Sequence, residues 1–203
     1  MMIIAAILFI GCSKEVANTP TKEEADTPTV DTTNDNCIIY YTSTDGNIVE
    51  PSHIKAFEGL KIISNDYENG VGTITFSDDI TTIGWCAFQG CTTLASIKLP
   101  ESVTTIEGKA FEGCSNMTLI ELPNSVTTIE EYVFRGCKAM ETLTMPPYLT
   151  SIKTGTFESC YALKEIEIPN GVTTIGQSAF AWCRSLINIT LPSSLESVGN
   201  QTY

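Results

Sequence analysis

Positive charge is scarce in this sequence. Lys and Arg number 11 against 24 Asp and Glu, giving a formal net charge of −13 over 203 residues. Nucleic-acid recognition needs Lys and Arg clustered against phosphates, so this balance argues against it. It also argues against patches for an anionic bilayer, and it suits a soluble, self-repelling surface. Histidine is scarcer still, with His53 the one example. A general base needs a nucleophile and an orienting group beside it. The sequence shows no such set, and His53 reads as an ordinary exposed or partly buried side chain. Glycine-rich phosphate loops are absent. No enzyme, metal or cofactor is expected. A run of about 20 apolar residues, long enough to cross a bilayer as a helix, is missing too.

Apolar residues nevertheless make up 42% of the chain, enough for one packed domain behind a leader. Residues 1–11, MMIIAAILFIG, have the length of a signal-peptide apolar region. The run stops at Gly11-Cys12-Ser13, which resembles the bacterial lipobox. That resemblance implies cleavage before Cys12 and acylation of its new N-terminus. Residues 12–36 are then a lipidated cysteine and a tether. The tether is rich in Thr, Pro, Asp, Glu and Asn and too poor in apolar surface to fold. Ser13-Lys14-Glu15 resembles the surface-export signals of Bacteroidetes lipoproteins, and Asp31-Thr32-Thr33 resembles the O-glycosylation tripeptide of that phylum. Together these imply a secreted lipoprotein at the outer membrane or cell surface, held to the membrane by its lipid alone.

The strongest signal is a repeat. From Ile80 the chain repeats every 23 residues, with copies starting at Ile80, Val103, Val126, Leu149 and Val172 and a partial sixth at Leu195. Equivalent positions form nearly pure columns. One is Ile83, Ile106, Ile129, Ile152, Ile175 and Val198. Another is Phe88, Phe111, Phe134, Phe157, Phe180 and Tyr203. A third is Ile97, Ile120, Leu143, Ile166 and Ile189, flanked two residues later by Leu99, Leu122, Met145, Ile168 and Leu191 and then by a proline.

A single coil of this length cannot bury its own apolar side chains. Stacked coils can, because each column then lies on its neighbour. The reading is a β-rich solenoid spanning residues 80–203, with one short parallel strand per coil at the Ile-x-Leu segment. Both apolar residues face inward there, and the residue between them faces solvent. The proline ends ladder pairing. A second short strand is expected at Thr-Thr-Ile, and a helical turn or irregular arc at Ala-Phe-x-x-Cys.

Leu-x-x-Ile-x-Leu-Pro, followed by Val-Thr-Thr-Ile and Ala-Phe-x-x-Cys, resembles the BspA-like, or Treponema pallidum-type, leucine-rich repeats. Residues 74–203 carry that resemblance. One position departs from the general leucine-rich pattern. Ser102, Ser125, Tyr148, Gly171 and Ser194 stand where that pattern has Asn or Cys. The usual asparagine ladder is therefore missing, and its work falls to the Thr or Cys columns.

Cys91, Cys114, Cys137, Cys160 and Cys183 form one of those columns. A line of thiols does not converge on a metal. Bridges between neighbouring coils are geometrically open, but five members cannot all pair. Free, buried thiols acting as small fillers are the simpler reading. Cys37 and Cys86 lie outside the column, unpaired from sequence.

Residues 37–79 are expected to cap the first coil. Residues 38–49 hold Asp45-Gly46 between two apolar stretches, and residues 61–76 hold Asn69-Gly70, so each predicts a hairpin. Ile74 and Phe76 fall in register with Ile97 and Leu99. Such a cap would shield the open stack end from edge pairing. No second cap is visible before Tyr203, which suggests that the repeats continue in a longer gene product.

The outward columns of the strand ladder are the candidate binding face: Ser96, Leu119, Thr142, Glu165 and Asn188, then Lys98, Glu121, Thr144, Glu167 and Thr190. These positions vary while the core stays fixed, which is how a repeat surface carries specificity. Glu107, Glu130 and Glu131 fall in variable columns and read as a solvated face. The family resemblance implies an adhesin that binds host extracellular-matrix or plasma proteins, such as fibronectin and fibrinogen. The alternatives are a glycan-binding module and a structural spacer of a surface assembly. Sugar stacking would favour aromatics on the strand face, which has none; Trp85 and Trp182 lie off it.

Overall fold

The structure is a computed structural model that describes residues 35–52, 54–57 and 59–202. The signal peptide, Cys12, His53 and Tyr203 lie outside the described residues. The chain forms a β-solenoid of about five coils preceded by a small β cap.

In the cap, β1 (Ile38–Ser43), β2 (Ile62–Glu68) and β3 (Val71–Phe76) join β5 (Leu94–Lys98) and β7 (Leu119–Glu121) of the first two coils. The sheet order is β2-β3-β1-β5-β7. Asn69 and Gly70, both at positive φ, make the β2–β3 hairpin turn. The Asp45-Gly46 hairpin does not form. Instead β1 pairs antiparallel with β3 on one side and β5 on the other, Tyr41 lying opposite Ile97. Hence β3, whose Ile74 and Phe76 share the repeat register, sits one strand away from the first coil. Both edges of β1 are used, so it seals the solenoid end more fully than a hairpin with one free edge. The fold also starts earlier than residue 37. A 3-10 turn covers Asp35–Cys37, and the Asn36 carbonyl accepts from the Ile80 amide at 2.8 Å.

Three rails join successive coils. The first is the strand rail, present as the β5–β7 pair and as β10 (Glu165–Glu167) with β12 (Asn188–Thr190). The second is the Thr-Thr-Ile rail. It runs through β4 (Thr82–Ile83), β6 (Thr105–Ile106) and β8 (Thr128–Ile129), then through β9 (Ser151–Ile152), β11 (Thr174–Ile175) and β13 (Ser197–Val198). The third is the arc through Ala-Phe-x-x-Cys, built of turns rather than helix. Here each Phe amide donates to the next coil: Phe88 to Ala110, Phe111 to Val133, Phe134 to Thr156 and Phe157 to Ala179, at 2.7–3.0 Å.

The core follows the columns. Phe88, Phe111, Phe134, Phe157 and Phe180 are fully buried and stack with ring centroids 5.4–5.8 Å apart. Phe57 of the cap closes the row, set edge-on to Phe88 at 6.1 Å. Offset and edge arrangements suit the ring quadrupole.

Cys91, Cys114, Cys137, Cys160 and Cys183 form no disulfide, but these ladder thiols do more than fill space. Each donates to the Phe carbonyl of the preceding coil: Cys114 to Phe88, Cys137 to Phe111, Cys160 to Phe134 and Cys183 to Phe157, at 3.1–3.3 Å. Cys91 does the same to Glu50 of the cap. Thr104 and Thr127 Oγ1 also reach the carbonyls of Thr81 and Thr104. So both columns serve as the sequence suggests. The position of the missing asparagine contributes as well, because Ser102, Ser125 and Ser194 Oγ donate to Ile80, Val103 and Val172 carbonyls at 2.6–2.8 Å.

The third coil departs from the expected strand. Residues 142–144 form none, so the strand rail ends at β7 and resumes at β10. The Thr-Thr-Ile rail also breaks, between β8 and β9. The cause lies at the turn. Pro100, Pro123, Pro169 and Pro192 each accept a bond from the amide three residues on, at 3.0–3.2 Å. In the third coil that turn reads Pro146-Pro147-Tyr148-Leu149. Pro147 pushes Pro146 out of the α region, and no such bond closes the turn among the described residues. Tyr148, largely exposed, is too large for the slot that serine fills.

Candidate functional site

The alternation of β5, β7, β10 and β12 sends every second side chain outward. Ile120 and Ile166 are buried, while their neighbours Leu119, Glu121, Glu165 and Glu167 are exposed. Lys98, Thr142, Thr144, Asn188 and Thr190 are exposed as well. Ser96 is only partly so, since its Oγ meets Thr42 Oγ1 of the cap at 2.7 Å. Leu119, an apolar side chain, is 48% exposed.

These ten positions open onto two hollows. The smaller, about 90 Å³, holds Ser96, Lys98, Leu119 and Glu121 together with Tyr40, Tyr41, Thr42 and Val71. The larger, about 650 Å³, holds Thr142, Thr144, Glu165, Glu167, Asn188 and Thr190 over a floor that includes Leu143, Met145 and Pro147. It opens where the strand rail is interrupted. No sequence signal marks the cap residues in the smaller hollow, because β1 reaches the face through an antiparallel register that no periodicity encodes. Pro147 did carry a signal, since its column otherwise holds Glu101, Asn124, Asn170 and Ser193.

The two ends differ in charge. Lys98 and Glu121 pair across coils at 3.8 Å. Glu165 and Glu167 face the larger hollow with no cation paired to them among the described residues. That hollow therefore presents two carboxylates flanked by hydroxyls and an amide. Such an arrangement recognises hydrogen-bond donors and cations. The described residues contain no group of three or more His, Cys, Asp or Glu placed to hold a metal ion, and no helix long and apolar enough to cross a membrane.

The backbone carries one further pattern. Gly90, Gly113 and Gly136 occupy one column in the left-handed region, with φ of 73–75°, and Ser159 and Trp182 follow at 62° and 65°. A bulky residue held there costs on the order of 1–3 kcal/mol. Trp182 is also 63% exposed, so burial does little to offset that strain.

The comparisons agree with this geometry. No curated protein matches the chain. Among solved structures, it is similar to a leucine-rich repeat protein from Bacteroides ovatus, at 40% identity and a TM-score of 0.59, over 67% of this chain and 34% of that protein. It thus spans about a third of that relative's length. It is also similar to the leucine-rich repeat protein of T. pallidum, at 28% identity and a TM-score of 0.53, over 60% of this chain and 67% of that one. The family model described as the BspA type leucine-rich repeat region matches residues 61–165 and 150–203. Stacked 23-residue coils, the Phe row and the thiol ladder are thus the form that this family takes here, and the chain belongs to the BspA-type leucine-rich repeat family.

Proposed function

We propose that the strand face binds a protein ligand at the cell surface, with the chain held at the outer membrane by an acylated Cys12. The ligand class is a host extracellular-matrix or plasma protein, which makes the chain an adhesin rather than an enzyme. The observation that carries this reading is that all ten variable outward positions open onto the two hollows, while every residue beneath them belongs to a conserved-in-period core. A constant frame with a varied rim is how repeat proteins build recognition surfaces. The larger hollow, with unpaired Glu165 and Glu167, favours a partner segment that brings Lys or Arg.

The test is binding of the full chain to immobilised fibronectin, fibrinogen and other matrix and plasma proteins. The paired substitutions Glu165→Lys and Glu167→Lys are expected to weaken binding at least tenfold, and Leu119→Asp to weaken it less. Silence across the panel, or binding unaffected by these changes, would overturn the reading. Anchoring is tested separately by palmitate labelling, which Cys12→Ala should abolish.

A further inference from the structure

Off the strand face, one side-chain group joins three successive coils. Lys138, Tyr161 and Arg184 occupy one column on coils three to five, and Trp182 sits two residues before Arg184. The Arg184 guanidinium lies 4.9 Å from the Tyr161 ring and 5.9 Å from the Trp182 ring. The Lys138 ammonium lies 5.8 Å from the same tyrosine ring. None of the four lines either hollow of the strand face. We propose that this cation–aromatic row is a second binding site, and that it takes an acidic polysaccharide chain bearing carboxylate or sulfate groups.

Three observations support the assignment. The first is charge. Some cations of this protein pair with carboxylates: Arg135 bridges Glu112 and Glu158 at 3.2 and 3.3 Å, and Lys164 meets Glu141 at 2.6 Å, while Lys109 lies over the Trp85 ring at 5.7 Å. Lys138 and Arg184 face rings instead, with no carboxylate within ion-pair distance among the described residues. In a chain of net charge −13, they form a local cationic spot free to take an anion.

The second is the backbone. Trp182 stands in the left-handed column that the first three coils fill with glycine. Positive φ alone is no outlier here, since Cys86, Lys109, Tyr132 and Ser178 share it in another column; what sets Trp182 apart is a large ring, 63% exposed, where the first three coils have glycine. The third is spacing. Lys138 and Arg184 are two coils apart, about 10 Å at ordinary strand spacing. That span suits an extended chain with repeated charges better than one small anion.

The chemistry selects the ligand class. A guanidinium takes carboxylate or sulfate through paired hydrogen bonds, and Tyr161 holds Arg184 and Lys138 in line through cation–π contacts. The exposed indole offers a flat apolar surface to the C–H face of a sugar ring. Nucleic acid fits poorly. Its affinity comes from many phosphate contacts, and this row supplies two cations.

The experiment uses the chain with Trp85→Phe, so that Trp182 is the one fluorophore of its kind. It is titrated with heparin fragments, hyaluronate, neutral dextran, polyglutamate and single-stranded DNA. Saturable fluorescence changes are expected with heparin and hyaluronate only. Arg184→Gln should weaken both at least tenfold, and Lys138→Gln several-fold. Lys61→Gln removes the same charge from the exposed edge of the cap, away from both sites, and should change nothing. Trp182→Gly, followed by retention on immobilised heparin, should lose binding while keeping or raising thermal stability, which a merely structural tryptophan would not do. The proposal fails if neither acidic polysaccharide binds, or if Lys61→Gln matches Arg184→Gln. It also fails if DNA or polyglutamate binds as tightly as heparin.

Discussion

The junction between the fourth and fifth coils carries all three rails, whereas the junction between the third and fourth carries chiefly one. At the intact junction, β10 pairs with β12, β9 with β11, and Phe157 donates to Ala179 at 2.8 Å. At the creased junction the arc persists, with Tyr132, Phe134 and Gly136 amides donating to Thr154, Thr156 and Glu158 at 2.8–3.0 Å. On the strand side, only the amides of Ala162 and Lys164 reach back, to Lys138 and Glu141. Both junctions have the same Phe, Cys and Ile columns. Stacking is therefore set by the apolar columns and the thiol ladder, while closure of the outer rails is set by the turn after the strand. Three residues of one turn, Pro146-Pro147-Tyr148, separate the two outcomes.

The largest test is removal of the ring that the crease depends on. Phe134→Ala should cost about 3–5 kcal/mol, the usual toll of a buried phenylalanine. It should also split denaturant unfolding into two transitions, because the cap with coils one to three would lose its main tie to the rest. Phe180→Ala, beside an intact junction, should destabilise without splitting the transition. A single cooperative transition for Phe134→Ala would mean that the rails do not matter as argued.

The thiol ladder spans intact and creased junctions alike and acts on both. Burial pushes Cys137 and Cys160 well above the ordinary thiol range, and Cys183 up to about 11. The folded state thus holds protons that the unfolded chain releases. The stabilisation is complete below the unfolded thiol value, about 8.5. It is lost as pH rises through the folded values, a window reaching about 11 for Cys183. Stability measured by urea unfolding should fall above about pH 8.5, and more gently in Cys137→Ala and Cys160→Ala. Each substitution should itself cost about 1–3 kcal/mol at neutral pH, by leaving the Phe111 or Phe134 carbonyl without its donor. A flat profile to pH 10 would remove the linkage argument.

Repairing the crease should have a smaller effect of opposite sign. Pro147→Asn with Tyr148→Ser restores the turn of the second coil, in which Ser125 Oγ reaches Val103 at 2.7 Å. A stabilisation of about 1 kcal/mol is expected, the net worth of a typical hydrogen bond. Amide exchange reads it directly. In the native chain Thr150 should exchange faster than Thr127 and Thr173, whose amides reach the preceding coil at 2.9 and 3.0 Å. The double substitution should bring Thr150 down to their rate.

Much of this was legible in the columns, for a physical reason. Stacked coils place like on like, so a buried Phe in one copy implies a buried Phe in the next. The candidate face was legible by the same logic, because strand alternation turns Glu165 and Glu167 outward once Ile166 is inward. The cap was not. β1 lies between β3 and β5 through antiparallel pairs such as Tyr41 with Ile97, and antiparallel register leaves no period to read. The crease was half legible: Tyr148 stood out from its column, but whether a turn closes depends on the neighbouring Pro147 as well. The Lys138–Tyr161–Arg184 row was hidden because its column holds different residue types, which read as mere variation until the coils are stacked.

The smallest expected effect concerns two exposed ion pairs that cross different junctions. Lys98 and Glu121 join the first and second coils at 3.8 Å, where the strand rail is intact. Lys164 and Glu141 join the third and fourth at 2.6 Å, where it is not. All four side chains are more than half exposed, so solvent screens both pairs and neither should exceed about 1 kcal/mol. Their ranking still carries information. At the intact junction β5 and β7 already hold the backbone, so the side chains add little constraint. At the crease, Lys164 and Glu141 also share the backbone bond from the Lys164 amide, at 2.9 Å, that marks the end of strand-side contact. A double-mutant cycle with Lys164→Gln and Glu141→Gln should therefore give the larger coupling, and added salt should erase it. Closing the turn with Pro147→Asn and Tyr148→Ser should then shrink that coupling to the value found for Lys98 and Glu121. Equal couplings in the native chain would show that the crease places no added demand on its outer edge.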